Sequence, residues 1–313
     1  MKVVYFGSDN FSADILNSLF DSEHVLVGIV TTPDVKKGRG QFLAKSPLKK
    51  IAEEKNIVCM QPVDLCEPLF LAELRDLNAD IFVVVSYGKI LPKVILGLPG
   101  FSCINVHPSL LPKYRGPSPV NYTLLNGDKY AGVTFIKLNE EIDAGDIYFQ
   151  EEILIDYDIN AEELLFKLGE IAGGHLAEIL TAIENDSVHA VSQDNSTKSY
   201  APLLTKNMGR INWSLSAVEI HNRVRALVPW PVAFSYFSDK YVKIYHSAAD
   251  DKLNISDDIT PGTIVDVSKE NGIGIKCGKG VLYLIEIQME GKKRMKAFDW
   301  ANGRHLQKGE YFV

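Results

Sequence analysis

Residues 81–107 read I-F-V-V-V-S-Y-G-K-I-L-P-K-V-I-L-G-L-P-G-F-S-C-I-N-V-H, and the apolar runs at either end, I-F-V-V-V and C-I-N-V, decide the fold. Both runs are short, rich in β-branched residues and continuous, as strands buried on both faces are. V-V-Y-F and V-L-V-G-I-V have the same character further upstream. Between these runs lie F-S-A-D-I-L-N-S-L-F, P-L-K-K-I-A-E-E-K and E-P-L-F-L-A-E-L-R-D-L, whose apolar residues recur at helical spacing. Strands alternating with helices predict an α/β fold with a doubly wound, mostly parallel sheet. Ligands of such sheets sit beyond the carboxyl ends of the strands.

Asn105 and His107 occupy that position at the end of C-I-N-V-H, and the stiff segment P-S-L-L-P-K-Y-R-G follows at once. Residues two apart on a strand share a face, so an amide and an imidazole project together past the sheet edge. Further on, G-V-T-F-I-K-L-N-E-E-I-D-A-G-D places Asp143 on a turn after a second apolar run. An aspartate beside the imidazole would fix its tautomer. Together the three side chains can stabilise an oxyanion, move a proton and orient the ring, which suits acyl transfer without a covalent intermediate. A hydrogen-bonded structural histidine is the plain alternative. The S-L-L-P backbone offers fixed polar groups that could grasp a flat heterocycle, and Arg115 either anchors a carboxylate or holds the loop.

Residues 131–138 and 147–154 read as two strands flanking the Asp143 turn, and a helix is expected over roughly 160–185, opened by A-E-E-L-L. Residues 190–206 are polar and without period, and are expected to be a linker between a domain over 1–189 and another over 207–313. The back segment offers one helix, A-V-E-I-H-N-R-V-R-A-L, then V-P-W-P. The short strands A-F-S-Y-F, V-K-I-Y-H, G-T-I-V-D-V, G-I-G-I-K-C and V-L-Y-L-I-E-I follow. Short strands parted by Gly and Asp turns predict a small OB-like β-barrel.

The 313 residues suffice for two cores, and 46% hydrophobic with 23% charged residues is ordinary for a soluble globular chain. The start M-K-V-V-Y-F-G shows no leader, and no apolar run reaches the ~20 residues of a membrane helix, so a cytoplasmic, non-membrane protein is expected. The four cysteines lack metal-ligand spacing, so no metal and no disulfide are expected. Net charge is −7, yet residues 1–189 carry 16 Lys/Arg against 27 Asp/Glu (−11) and residues 190–313 carry 17 against 13 (+4). The basic back half hints at a polyanionic partner, although a solvated surface would look the same.

Two further stretches have two readings each. T-T-P-D-V-K-K-G-R-G-Q-F-L-A-K-S-P, with Lys36, Lys37, Arg39 and Lys45, is expected to be a long connection without regular structure. Its cations either meet phosphates or are simply solvated. V-P-W-P with Arg223 and Arg225 upstream reads as an exposed aromatic-and-cation surface or, more simply, as an aromatic plug between domains. The turn F-G-S-D-N-F after the first strand lacks G-x-G-x-x-G, so dinucleotide binding has little support.

F-G-S-D-x-F, T-x-P-D-x-x-x-G-R-G, V-V-S-Y-G-K-I-L-P, I-N-V-H-P-S-L-L-P-K-Y-R-G and I-D-A-G-D together resemble the methionyl-tRNA formyltransferase family of folate-dependent formyltransferases. So do I-N-W-S-L-S-A, V-R-A-L-V-P-W-P and M-E-G-K-K-R-M-K-A-x-D-W-x-x-G in the back half. H-x-S-L-L-P and the D-x-G turn are shared by all folate-dependent formyltransferases, whereas the G-R-G loop and the back-half motifs point to the tRNA branch. The resemblance implies a Rossmann-like formyl-transfer domain, a linker and a C-terminal OB-like domain that helps hold tRNA. It implies 10-formyltetrahydrofolate as donor, the α-amine of methionyl initiator tRNA as acceptor, and a monomer acting in translation initiation. Asn105, His107 and Asp143 match the family's catalytic trio. Ser86, Tyr87, Gly88, Ile90 and Leu91, with Ser109, Leu110, Leu111 and Pro112, match its folate walls. Lys36, Lys37, Arg39 and Lys45 fall on the loop that meets the tRNA acceptor end. Rival readings are a sugar-nucleotide N-formyltransferase, a hydrolase of formyl-folate, and a nucleic-acid-binding module without catalysis.

Overall fold

Each β-branched run of the front half is a strand in the computed structural model of the chain, which describes residues 1–37 and 42–313, with backbone only at 36, 37 and 42. The elements run β1 (Lys2–Gly7), α1 (Asn10–Asn17), β2 (Val25–Val30), β3 (Val35–Lys37), β4 (Phe42–Ala44), α2 (Pro47–Lys55), β5 (Cys59–Met60), α3 (Pro68–Asp76) and β6 (Ile81–Val85). Then come α4 (Lys93–Leu96), β7 (Ser102–His107), α5 (Pro119–Leu125), β8 (Tyr130–Lys137), β9 (Ile147–Leu154) and α6 (Ala161–Glu184). The main sheet has the order β5-β2-β1-β6-β7-β8-β9. It is parallel from β5 to β7, and β8 runs antiparallel to β7. This is a Rossmann-like arrangement, and the strand order reverses between β1 and β6.

Gly7 ends β1 for a steric reason. A Cβ there would lie 2.7 Å from the Ser12 side chain and 2.8 Å from the Val85 carbonyl oxygen, so only glycine lets the chain turn beside β6. The next residues cap α1. Asp9 accepts from the Ser12 N–H at 2.9 Å while the Ser12 hydroxyl takes the Asp9 N–H at 3.1 Å, a reciprocal capping box. The stretch expected to lack regular structure carries a short antiparallel pair, with Val35 opposite Ala44 and Lys37 opposite Phe42. β-branched and aromatic residues flank its glycines, which is the composition of hairpin arms.

The chain divides into two units that interleave along the sequence. One comprises 1–119, 130–153 and 165–201; the other comprises 120–129, 154–164 and 202–313. The stretch 190–206 is thus split at Ala201. In the second unit the elements continue with α7 (Ala217–Ala226), β10 (Ala233–Phe237), β11 (Lys240–Asp250), β12 (Ile264–Ser268), β13 (Gly272–Lys276), β14 (Val281–Met289), β15 (Met295–Lys296) and α8 (Ala297–Arg304). The pairings are all antiparallel in the order β10-β11-β14-β13-β12, with β15 on β14.

The last residues close this sheet. Val313 exchanges backbone bonds with Tyr236 at 3.1 and 2.8 Å. On the other side, Ile264 N–H donates to Glu310 and Phe312 N–H to Gly262, so the terminal segment joins both edges into a small barrel. Trp213, Phe237, Ile244, Ile275, Leu284 and Phe312 fill its interior. Trp213 is also tied in by its indole N–H to Ser235 Oγ at 3.0 Å, and that hydroxyl in turn donates to the Val313 carbonyl at 2.8 Å. No helix among the described residues is long and apolar enough to cross a membrane.

α7 packs on β11 and begins with a second capping box in S-A-V-E. Glu219 N–H donates to Ser216 Oγ at 3.2 Å, and Ser216 N–H donates back to Glu219 Oε2 at 2.9 Å. The bond from the Ser216 side chain, then that from its backbone, holds the Glu219 carboxyl below the usual carboxylate range. A depressed carboxylate pKa stabilises the fold above its unfolded value, and this contribution fades as pH falls through the folded value. Ser216→Ala should therefore lower unfolding stability by about 1 kcal/mol at pH 7, with a smaller difference at pH 3. Urea denaturation of the full chain at the two pH values measures both.

Candidate active site

β6 and β7 run side by side, with Val84 opposite Asn105, and their carboxyl ends deliver the segment starting at Ser86 and the pair Asn105 and His107 to one edge of the sheet. β8 then pairs with β7 so that Thr134 stands opposite His107. The turn after β8 brings Asp143 back to this edge. Its Oδ2 lies 3.6 Å from His107 Nδ1, and its Oδ1 lies 3.5 Å from Asn105 Nδ2. These are near contacts, not short hydrogen bonds. The firm bond to this carboxylate comes from Gly116, whose N–H reaches Oδ2 at 2.8 Å.

His107 is 4% exposed, and its Nε2 lies 2.9 Å from the Tyr114 carbonyl oxygen. A carbonyl only accepts, so Nε2 carries a proton, and whenever the ring is neutral its lone pair is on Nδ1. Tyr114, not the aspartate expected from sequence, thus fixes the tautomer. A proton gained at Nδ1 would sit facing the Asp143 carboxylate. The ring is therefore built to accept a proton on one defined atom and, once charged, to donate from it.

Residues with positive φ gather here: Ser86 at 47°, Gly88 at 80°, Tyr114 at 63°, Gly116 at 113° and Asp143 at 49°. For the non-glycine members this region is costly, by an order of 1–3 kcal/mol each, and persists only where neighbours hold it. Gly116 is needed as glycine, because a Cβ there would approach the Ala201 carbonyl oxygen at 2.9 Å.

The S-L-L-P segment is clamped from beneath by residues that sequence reading missed. Thr134, fully buried, donates its hydroxyl to the Ser109 carbonyl at 2.6 Å and accepts from Leu111 N–H at 3.2 Å. Gln150 Nε2 donates to that same hydroxyl at 2.8 Å and to the Leu111 carbonyl at 3.0 Å. Ser109 closes the segment by donating its hydroxyl to the Lys113 carbonyl at 2.7 Å. Ser109 and Leu111 are buried, whereas Leu110 and Pro112 are half-buried. The segment after β6 alternates likewise: Ser86, Gly88 and Ile90 are exposed while Tyr87 and Leu91 are buried. Ile90 leaves 65% of its surface open, an apolar side chain available to a ligand. The Tyr87 hydroxyl is buried without a hydrogen-bond partner, and burial pushes its pKa up to about 12.

Arg115, 2% exposed, holds the loop by donating to Gln193 and Asn195. Among the cations expected on the basic stretch, Lys36 and Lys37 lie on β3 and Arg39 lies outside the described residues. Lys45 is exposed but engaged, with Nζ 2.8 Å from each carboxylate oxygen of Glu53. In the second unit Trp230 exposes 51% of its surface, whereas Arg225 is buried against Asn222 and Arg223 donates to the Met208 carbonyl. That stretch offers an open indole, with Arg225 turned inward and Arg223 bonded through Nη1 while its Nε is buried without a partner.

Family models cover most of the chain: "Formyl transferase" matches residues 1–180 and "Formyl transferase, C-terminal domain" matches 203–305. The chain is 40% identical over 309 residues to the methionyl-tRNA formyltransferase of Alkaliphilus oremlandii (strain OhILAs), covering 99% of this chain and 98% of that protein. It is 40% identical over 313 residues to the enzyme of the same name from Dictyoglomus thermophilum, covering all of both. Among solved structures, an N-formyltransferase from Helicobacter canadensis in complex with folinic acid and dTDP-3-aminofucose superposes with a TM-score of 0.68 at 20% identity, over 91% of this chain and 98% of that one. The sugar 3N-formyl transferase WlaRD gives a TM-score of 0.67 at 22% identity, over 94% and 99%. These two share the fold.

Thr134→Val keeps the volume of the side chain but strands the Leu111 N–H, one proton of Gln150 and the Ser109 carbonyl. Leaving buried polar groups unmet costs on the order of 1–3 kcal/mol. Chemical denaturation should show a loss of that size, against a change near zero for Ser196→Ala on the exposed surface.

Proposed function

Since the chain belongs to the formyl transferase family, we propose that it transfers the formyl group of 10-formyltetrahydrofolate to the α-amine of methionyl initiator tRNA. Carrying the reading is the convergence of Asn105, His107 and Asp143 at the strand ends, with His107 Nδ1 left as the proton acceptor. Full-length 40% identity to proteins named methionyl-tRNA formyltransferase supports the acceptor.

In this mechanism the amine nitrogen bonds to the formyl carbon as the bond from that carbon to the folate nitrogen breaks. Asn105 donates its amide N–H to the oxygen that becomes negative, in a site where His107 is already out of water. His107 takes the proton of the attacking amine on Nδ1 and returns it to the departing nitrogen, so that no net proton is consumed. Asp143 faces Nδ1 and stabilises the ring while it is charged. No side chain becomes acylated. The exposed Ser86, Gly88 and Ile90 and the half-buried Leu110 and Pro112 would contact the folate directly, while Tyr87, Leu91, Ser109 and Leu111, turned inward, would contribute backbone and shape. The basic stretch with Lys36, Lys37, Arg39 and Lys45 would meet tRNA phosphates. Lys45 must first leave Glu53 to do so.

Purified protein given 10-formyltetrahydrofolate should formylate methionyl initiator tRNA and not an amino-sugar nucleotide; the reverse preference would replace the acceptor assignment. Raising salt should slow the tRNA reaction as phosphate contacts weaken. Asn105→Ala, which removes the oxyanion donor, should lower kcat on the order of a hundredfold or more. Asp143→Ala should lower it by roughly 100- to 10,000-fold through the lost proton chemistry. Both variants should still bind the folate, which titration calorimetry would measure. Full activity in Asp143→Ala would remove it from the mechanism.

A further inference from the structure

The polar stretch after α6 does more than connect. Val191 pairs with Ile147 through backbone bonds of 2.8 and 2.9 Å. Further on, Ser199 accepts from Arg115 N–H at 2.9 Å, and Ala201 exchanges bonds with Arg115 at 2.8 Å and Ser118 at 3.2 Å. Between these anchors Gln193 turns inward and is only 8% exposed. Its Oε1 accepts from Arg115 Nε at 3.1 Å and Nη2 at 2.6 Å. Arginine has no acceptor, so this contact fixes the orientation of the amide and aims Nε2 away from the guanidinium. Nε2 then donates to the Asp143 carbonyl at 2.9 Å and the Gly145 carbonyl at 2.7 Å. Asn195 Oδ1 takes a further Arg115 proton at 2.8 Å, which holds the guanidinium in place.

We propose that Gln193, oriented by Arg115, is a positioning residue that holds the Asp143 turn and so sets the distance from the Asp143 carboxylate to His107 Nδ1. Asp143 sits at φ 49°, a conformation a non-glycine residue keeps only under restraint. Gly116 restrains its carboxylate and Gln193 restrains its backbone. Without the second restraint the turn is free to relax toward ordinary φ, and the carboxylate moves with it. The catalytic geometry thus depends on a residue some 50 positions downstream of the turn it holds. This inference rests on the formyl-transfer reading for its kinetic consequence, but its geometric half stands apart from it.

Three variants test it. Gln193→Leu removes both the acceptor and the donors; Gln193→Glu keeps the Arg115 contact and loses the donors. Ser192→Ala deletes only the exposed bond to Asp146 Oδ1 and serves as control. With wild type active, both Gln193 variants should lose kcat by about tenfold to a hundredfold, the scale expected for a slight misplacement of a catalytic group. KM for formyl-folate and for methionyl-tRNA should stay within about twofold, and Ser192→Ala should match wild type. In Gln193→Leu combined with Asp143→Ala, kcat should fall no further than in Asp143→Ala alone, because Gln193 acts through Asp143. Unchanged kcat in Gln193→Leu, or losses that multiply in the double variant, would overturn the proposal. If wild type transfers no formyl group, the proposed function fails, and amide hydrogen exchange then decides the positioning role: residues 143–146 must exchange faster in Gln193→Leu than in wild type, and equal rates would overturn it.

Discussion

The bond from His107 Nε2 to the Tyr114 carbonyl, 2.9 Å long and out of solvent, constrains everything else at the strand ends. It commits one ring nitrogen to the loop and leaves the other facing Asp143. Had the loop offered a hydroxyl in place of a carbonyl, either tautomer would serve and the proton could rest on either side. With a carbonyl, the neutral ring always has the same nitrogen free. The backbone at Tyr114 is itself unusual. Its φ of 63° belongs to the chain reversal that leads from the S-L-L-P segment into Arg115 and Gly116.

That reversal links His107, Asp143 and Gln193 through one short stretch of backbone. Tyr114 fixes the ring by its carbonyl, Gly116 fixes the aspartate by its N–H, and Arg115 between them orients the glutamine that grips the aspartate's turn. Neighbouring residues therefore control partners that arrive from β7, from the turn after β8 and from the segment after α6. The ring and the carboxylate are thus both tied to this one stretch of backbone. A rigid platform of this kind suits a reaction whose charge develops briefly and must find its donors already in place.

The sequence revealed those parts of the fold and site whose signals are local. Buried strands show as β-branched runs. Asn105 and His107 are recognisable as a pair because period two puts them on one face, and Asp143 because D-A-G marks a turn. Thr134, Gln150 and Gln193 gave no such sign. Each acts through hydrogen bonds to backbone groups far away in the chain, and a buried threonine or glutamine looks in sequence like any other polar residue. Closure of the barrel by residues 310–313 was hidden for a related reason: a few residues that complete two sheet edges are too short to show a period. β3 and β4 were missed because the glycines between them outweighed the hairpin arms on either side.

Tautomer control shows the limit most clearly. Proximity of an aspartate to a histidine in a motif suggests that the carboxylate orients the ring, and the residue types alone cannot say otherwise. At 3.6 Å the carboxylate instead stands beside the nitrogen that would carry the charge in the proposed transfer. In that proposed transfer a shorter contact would bind the proton more firmly and make its return harder, whereas a longer one would leave a charged ring, itself buried, with less support. Holding the carboxylate by its other contacts, at Gly116 and through the turn that Gln193 grips, keeps it at that intermediate distance. The positive φ at Asp143 is the structural cost of that placement, and it falls on the residue whose position the proposed proton transfer would need most.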